Sequence, residues 1–368
     1  MIDSTPISIF RDYVNDNGWT FFRYHNIDKK DKWSCICSAM DWIDVSVQYI
    51  CKHPLIGACK QGSIEFFSVM SCIDIIVEAI EQLHRVICAT NEQIFFNDRD
   101  CFPDNPFHQT DREFFKTIRA CFGAHPVNLV DPKDPNNKSN RRFASWSGDF
   151  PGPGNINVLL YSNVIDEKNL IVGVKANQLE SFLEKYYSHL YFLIDSLKEQ
   201  YESFCEEKRA EIIVCKGDPI SRLNILYSES KKRLNNDYYN CTIEELLFIF
   251  QTHISSEKNQ GLINKYYNKL EAIIDRIQNN LQNMLFSDLE VVNYDILLLL
   301  PLRKGWTYWV EKLTQYRSNN AYLLFVEKEI KDIFNGCFAF EYESMQELYV
   351  LVNAALSQMC ETMSAEIE

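Results

Sequence analysis

Residues 111–126 read Asp111-Arg112-Glu113-Phe114-Phe115-Lys116-Thr117-Ile118-Arg119-Ala120-Cys121-Phe122-Gly123-Ala124-His125-Pro126. The stretch spells a short helix that carries Arg119 and runs towards His125. Asp111 is placed to cap its start. Gly123 and Pro126 stop it, because glycine is a poor helix former and proline biases the residue before it away from helix.

Longer helices flank this stretch. Upstream, Met40, Ile43, Val47 and Ile50 fall at steps of three and four and predict a helix over 36–52. Residues 63–91 form the clearest helix, with Phe66, Met70, Ile73, Val77, Ile80 and Leu83 as its apolar stripe. Asp74, Glu78 and Glu81 occupy another face, with Arg85 beyond. Residues 1–32 are aromatic and mixed and read as a lid or a short helix and strand. Residues 97–108, with two prolines, read as a loop.

Downstream, residues 133–142 carry Lys133, Lys138, Arg141 and Arg142 against Asp134, a local net of +3. Strand candidates follow at Phe143–Trp146, Asn157–Tyr161 and Leu170–Val174, a β-ribbon or small meander between helices. A long helix is predicted from Ala176 to Arg209. Gly217-Asp218-Pro219 marks a domain break. Beyond it, helical spacing covers 219–235, 242–253, 258–286, 306–316, 320–335 and 343–359. The expected fold is therefore mostly α: a helical bundle over 1–215 with a β insertion at about 143–175, then a helical C-terminal domain over 216–368.

Composition agrees with a packed helical protein. Of 368 residues, 46% are hydrophobic and 13% aromatic, enough for a sizeable core, and only 12 Gly and 11 Pro punctuate the chain. The net charge is −14. Residues 1–150 hold 16 basic against 20 acidic side chains, whereas the remainder holds 21 against 31. That balance excludes a protein that coats nucleic acid non-specifically, and leaves room for a local basic patch. No signal peptide and no apolar run of membrane-spanning length are seen, so a cytoplasmic location with no membrane partner is expected. The 13 cysteines are then reduced and serve mainly as small hydrophobes.

An arginine and a histidine on one short segment can cut RNA without a metal. The histidine moves protons near neutral pH, and the arginine stabilises charge on the crowded phosphate. On an ideal helix six residues at 100° leave the two side chains about 120° apart, so they converge only if the helix ends before His125.

Phe114-Phe115-Lys116-Thr117-Ile118-Arg119, five residues, then His125-Pro126, set between long helices, resembles the Arg-x4–6-His signature of the HEPN superfamily of helical-bundle ribonucleases. The resemblance covers roughly residues 36–210. It implies a bundle that dimerises so that two motifs share one cleft, with Arg119 and His125 as catalytic residues. It also implies metal-independent endoribonuclease activity of the bacterial defence, abortive-infection or toxin–antitoxin type. RNA, tRNA included, is the implied substrate, and an antitoxin or regulatory protein a further partner. The position after the arginine, commonly Asn in the family, is Ala120. That departure supports the rival reading, a non-catalytic module binding a protein or nucleotide ligand. Asp74 and Glu78 are candidates to orient Arg119 or His125 from behind, and Lys133, Lys138, Arg141 and Arg142 to track the RNA backbone. In the bland alternative, Arg119 pairs with a carboxylate of the 63–91 helix, His125 caps its own helix, and the acidic face is solvated.

Other signals are weaker. Cys35-x-Cys37, Cys51-x-His53 and Cys59 lack the paired knuckles of a zinc site, and no metal is expected. Cys121 reads as core. No glycine-rich phosphate loop of either common type occurs, so no cofactor is expected. Trp306, Tyr308 and Trp309, after Arg303 and Lys304, offer a stacking patch but sit at the spacing of helix core.

Overall fold

The computed structural model describes residues 2–16, 18–55, 57, 63–124, 126–145, 151–233, 237–285, 320–333 and 340–365. His125, Cys59, Trp146 and the Arg303–Trp309 patch lie outside these described residues. The chain is mostly helical, with one small antiparallel sheet among the described residues, and divides into compact units at Met1–Tyr201 and Glu202–Glu368. The division falls upstream of Gly217-Asp218-Pro219, inside a continuous helix that no sequence break marks.

In the first unit, α1 (Thr5–Asp16) and α2 (Gly18–Tyr24) precede α3 (Trp33–Lys52) and α4 (Ser63–Ile87). Helix α5 (Asp111–Arg119) passes into a π turn at Ala120–Ala124. Strands β1 (Leu129–Val130), β2 (Arg141–Ser145), β3 (Ile156–Ser162) and β4 (Leu170–Val174) follow, and then α6 (Ala176–Ala210), of which the part up to Tyr201 belongs to this unit.

The core lies where apolar stripes meet. Ile36, Ile43 and Val47 of α3 are fully buried, as are Phe66, Val69, Met70, Ile73, Ile76, Val77, Ile80 and Leu83 of α4. Leu179, Phe182, Tyr186 and Leu190 supply the α6 side. Phe182 stacks on Phe115 of α5 with centroids 4.7 Å apart. The N-terminal segment is two helices packed into this bundle. Its aromatics find partners there: Trp19 lies 5.5 Å from Tyr201, and the Tyr24 hydroxyl reaches Gln200 at 3.1 Å. The expected strand shrinks to a single bridge between Ile27 and Lys30.

The sheet is a meander of order β1-β2-β3-β4, all antiparallel. Val158, Leu160, Val172 and Val174 form its buried face. Residues at odd steps from these face outward, as strand alternation requires.

In the second unit, α7 (Pro219–Arg233), α8 (Asp237–Gln251), a 3₁₀ turn (Glu257–Asn259), α9 (Gln260–Asn283), α10 (Ala321–Ile333) and α11 (Met345–Ala365) pack as a helical array. Gly217 takes φ of 112°, which only glycine adopts without strain, and Asp218 caps α7 by accepting from Ser221 N at 3.1 Å. Buried Arg233 donates to the carbonyls of Lys208, Glu211 and Leu281, tying the loose ends of three segments. Among the described residues no helix is long and apolar enough to cross a membrane.

Candidate active site

Helix α5 starts with a capping box. Thr110 accepts from Glu113 N, and Glu113 Oε2 accepts from Thr110 N at 2.9 Å. Those bonds hold the Glu113 carboxyl below its ordinary range. Asp111 is therefore not the cap. It is buried and accepts from the backbone N–H groups of Asp100, Cys101 and Phe102 at 3.1, 3.1 and 3.0 Å, which folds the preceding loop onto the helix. Phe114, Phe115 and Ile118 anchor one face in the core. That leaves Arg112, Lys116 and Arg119, at steps of four and three, on the face towards α4.

The acidic face of α4 meets this basic face. Arg112 is buried and forks onto Glu81, with Nε 3.0 Å from Oε1 and Nη2 3.2 Å from Oε2. Its Nη1 is 3.4 Å from Oδ1 of Asp74. The other oxygen of Asp74 lies 3.1 Å from Nε of Arg119. Asp74 is thus shared by two guanidiniums. The Arg119 contact is an ion pair without hydrogen-bond alignment, since Nε is buried and makes no hydrogen bond. The Arg119 side chain remains 39% exposed against 5% for Asp74, so the carboxylate holds the arginine at the surface without covering it.

Of the α4 acids, Asp74 and Glu81 are in the seam and Glu78 is exposed. The solvated face expected of the three belongs to Glu78 alone. Arg85 hydrogen-bonds Gln82. Glu78, Glu81, Arg85, Arg112 and Lys116, with half-exposed Trp42 of α3, line a surface cleft of about 730 Å³.

After Arg119 the backbone widens into a single π turn, a distortion that often marks functional sites. Close packing fixes it. A Cβ on Gly123 would lie 1.8 Å from the Phe67 ring, and Phe122 meets Phe66 edge-on at 5.2 Å. Cys121 is fully buried, and burial pushes its thiol up to about 12, which removes it as a nucleophile. The expected stop before His125 is thus a π turn ending at Ala124. Pro126, which follows His125, accepts from Ala144 N of β2 at 2.6 Å.

The four candidate RNA-binding cations separate. Lys133 and Lys138 are exposed and Arg141 is half-buried; none forms an ion pair among the described residues. Arg142 is different. It is fully buried, donates from Nε to Asp131 Oδ2 at 2.8 Å and from Nη1 to the Lys168 carbonyl at 3.0 Å, and pairs with Glu167. A phosphate contact is not open to it, because strand alternation turns it inward while Arg141 turns out. The sequence signal was there in the period of two, but only the strand's register showed which residue it buried.

Sequence reasoning also passed over a histidine pair. Nε2 of His189 lies 3.1 Å from Nδ1 of His84, beside Phe95 and Phe192. Burial lowers both, His189 to about 4. Of the cysteine–histidine cluster, His53 stacks on Tyr49 at 4.2 Å with Nε2 3.6 Å from Glu65. Among the described residues no three metal-ligating side chains are grouped.

No family model, no curated protein and no solved structure matches this chain.

Proposed function

We propose that the protein is a metal-independent endoribonuclease with Arg119 and His125 as its catalytic pair, working from two subunits across a shared cleft. The observation that carries this is the Arg119–Asp74 pair. Buried Asp74 of the 63–91 helix pairs with Arg119, as the bland alternative also expects, but the pair leaves more than a third of the arginine side chain facing solvent. A cation fixed from behind and open in front is pre-organised for phosphate, since little ordering remains when the anion arrives. Asp74 is then a positioning residue, and Glu78 lines the neighbouring cleft.

The chemistry follows from residue types. One His125 takes the proton from a 2′-OH, and the 2′-oxygen attacks the adjacent phosphorus. The P–O5′ bond breaks, the second His125 protonates the leaving 5′-oxygen, and a 2′,3′-cyclic phosphate remains. Arg119 stabilises charge on the non-bridging oxygens. This reading draws on the resemblance to HEPN ribonucleases.

One observation favours the second reading, a non-catalytic module for a protein or nucleotide ligand. The cleft beside α5 is lined by both signs of charge and by Trp42, a mixture suited to a small polar ligand. Incubation of wild type, Arg119→Ala and His125→Ala with total RNA and tRNA in EDTA, with end-group analysis, tests the enzyme reading. Cleavage by wild type alone, leaving cyclic or 3′-phosphate ends, is expected. Cleavage that survives His125→Ala, or that EDTA abolishes, overturns it.

A further inference from the structure

We infer that the outward face of the β-sheet is a stacking platform for single-stranded RNA, which gives the proposed ribonuclease the strand it cuts; the inference rests on that reading for its biological sense but not for its test. Phe143 of β2 and Tyr161 of β3 are register partners, so both side chains project from one face. They are 38% and 42% exposed, and neither stacks on another ring among the described residues. Ile171, register partner of Leu159, extends the same face and is 43% exposed. On the opposite face of the same strands Arg142, Val158, Leu160, Val172 and Val174 are buried. A soluble sheet usually turns polar residues outward. Here two aromatics stand where threonine or lysine would serve solubility better.

Charge says which partner fits. With Arg142 neutralised inside by Asp131 and Glu167, the β1–β2 turn and the start of β2 present Lys133, Lys138 and Arg141 against Asp134. Arg141 is two residues from Phe143 and shares its face. The turn sits at the Tyr161 end of the sheet, since Asn163, just past β3, bonds Ser139 O at 3.1 Å and Arg141 N at 2.8 Å. Flat exposed rings beside free cations suit a polyanion whose bases can unstack, which describes a single strand and not a duplex. Position completes the argument. Ala144, next to Phe143, donates to the carbonyl of Pro126, so the platform adjoins the segment that follows His125.

Fluorescence anisotropy of a labelled single-stranded oligouridylate on the full chain tests this, with the oligouridylate–oligoadenylate duplex as control. The variants are Phe143→Leu, Tyr161→Leu and the pair. Leucine keeps an apolar strand residue and removes the π face, and Tyr161→Phe, which removes only the hydroxyl and keeps the ring, is the conservative control. Each leucine change is expected to weaken single-strand binding about tenfold, Tyr161→Phe to leave it unchanged, and the duplex to bind more weakly throughout. Unchanged affinity in the double variant overturns the proposal. So does an altered oligomeric state with RNA affinity unchanged, which would make the face a protein contact. The two readings separate cleanly. His125→Ala is expected to bind RNA as wild type does while failing to cut it. Cleavage with no effect of the ring substitutions sinks the platform and spares the enzyme, whereas ring-dependent binding without cleavage does the reverse.

Discussion

Arg119 and Asp74 meet at 3.1 Å, Nε to Oδ2, with the arginine 39% and the aspartate 5% exposed. The asymmetry sets unequal costs for removing either partner. Asp74→Asn leaves Arg112 and Arg119 sharing a neutral amide in a buried seam, and is expected to lower stability by about 2 kcal/mol. Arg119→Ala removes a partly exposed ion pair, screened by solvent, and is expected to cost under about 1 kcal/mol. Urea denaturation of both variants checks this. Equal losses would show that the contact of Asp74 with Arg112 adds nothing beyond its contact with Arg119.

The basic segment 133–142 holds two kinds of arginine. Arg142→Met strands buried Asp131 without a counter-charge and is expected to destabilise the fold by about 3–5 kcal/mol. Replacing Lys133, Lys138 and Arg141 together by Gln is expected to leave the thermal midpoint nearly unchanged. It should instead flatten the slope of log affinity for single-stranded RNA against log salt by about 2, from roughly 0.7 per neutralised phosphate. A salt slope that does not change removes this turn from the RNA path.

Gly123 is fixed by its neighbour and not by its own dihedral angles. A Cβ there would strike the half-buried Phe67 ring at 1.8 Å, so the ring has to move aside to admit it. Gly123→Ala is expected to lose about 1–3 kcal/mol. Gly123→Ala with Phe67→Leu should regain part of that loss. A double variant no better than the single would mean that the turn, and not the contact, needs the glycine.

The histidine pair gives the fold a pH dependence of definite sign. Burial, with His84 beside it, lowers His189 from 6.5 to about 4. Between those values the unfolded chain binds more protons than the folded one. The contribution of His189 is therefore complete above pH 6.5 and is lost as pH falls towards 4. His189→Gln is expected to flatten the stability curve across that window, read from urea midpoints against wild type. Parallel curves would show that His189 titrates in the folded state much as it does in the unfolded chain, which contradicts the lowering by burial.

The helices were legible in the sequence because each buries one face, and burial of one face writes a period near 3.6. The stripes of 36–52 and 63–91 became α3 and α4, and three strand segments lay within a residue or two of where alternation put them. The N-terminal helices were not legible, since short aromatic-rich segments fit either period and take their shape from Tyr187, Gln200 and Tyr201 far along the chain. Local chemistry also misled at Asp111, where a good capping residue went to three N–H groups of the previous loop, and Thr110 took the cap.

The sequence by itself determined the residue types available for chemistry: Arg119, His125, the acids of α4 and the cations near β2. Only the tertiary structure decided their fates. It assigned Asp74 and Glu81 to a seam, sent Arg142 into the core and Arg141 out, and set Phe143 against Tyr161. The physical reason is that a period says which residues share a face, whereas the partner packed on that face decides whether it is dry or wet.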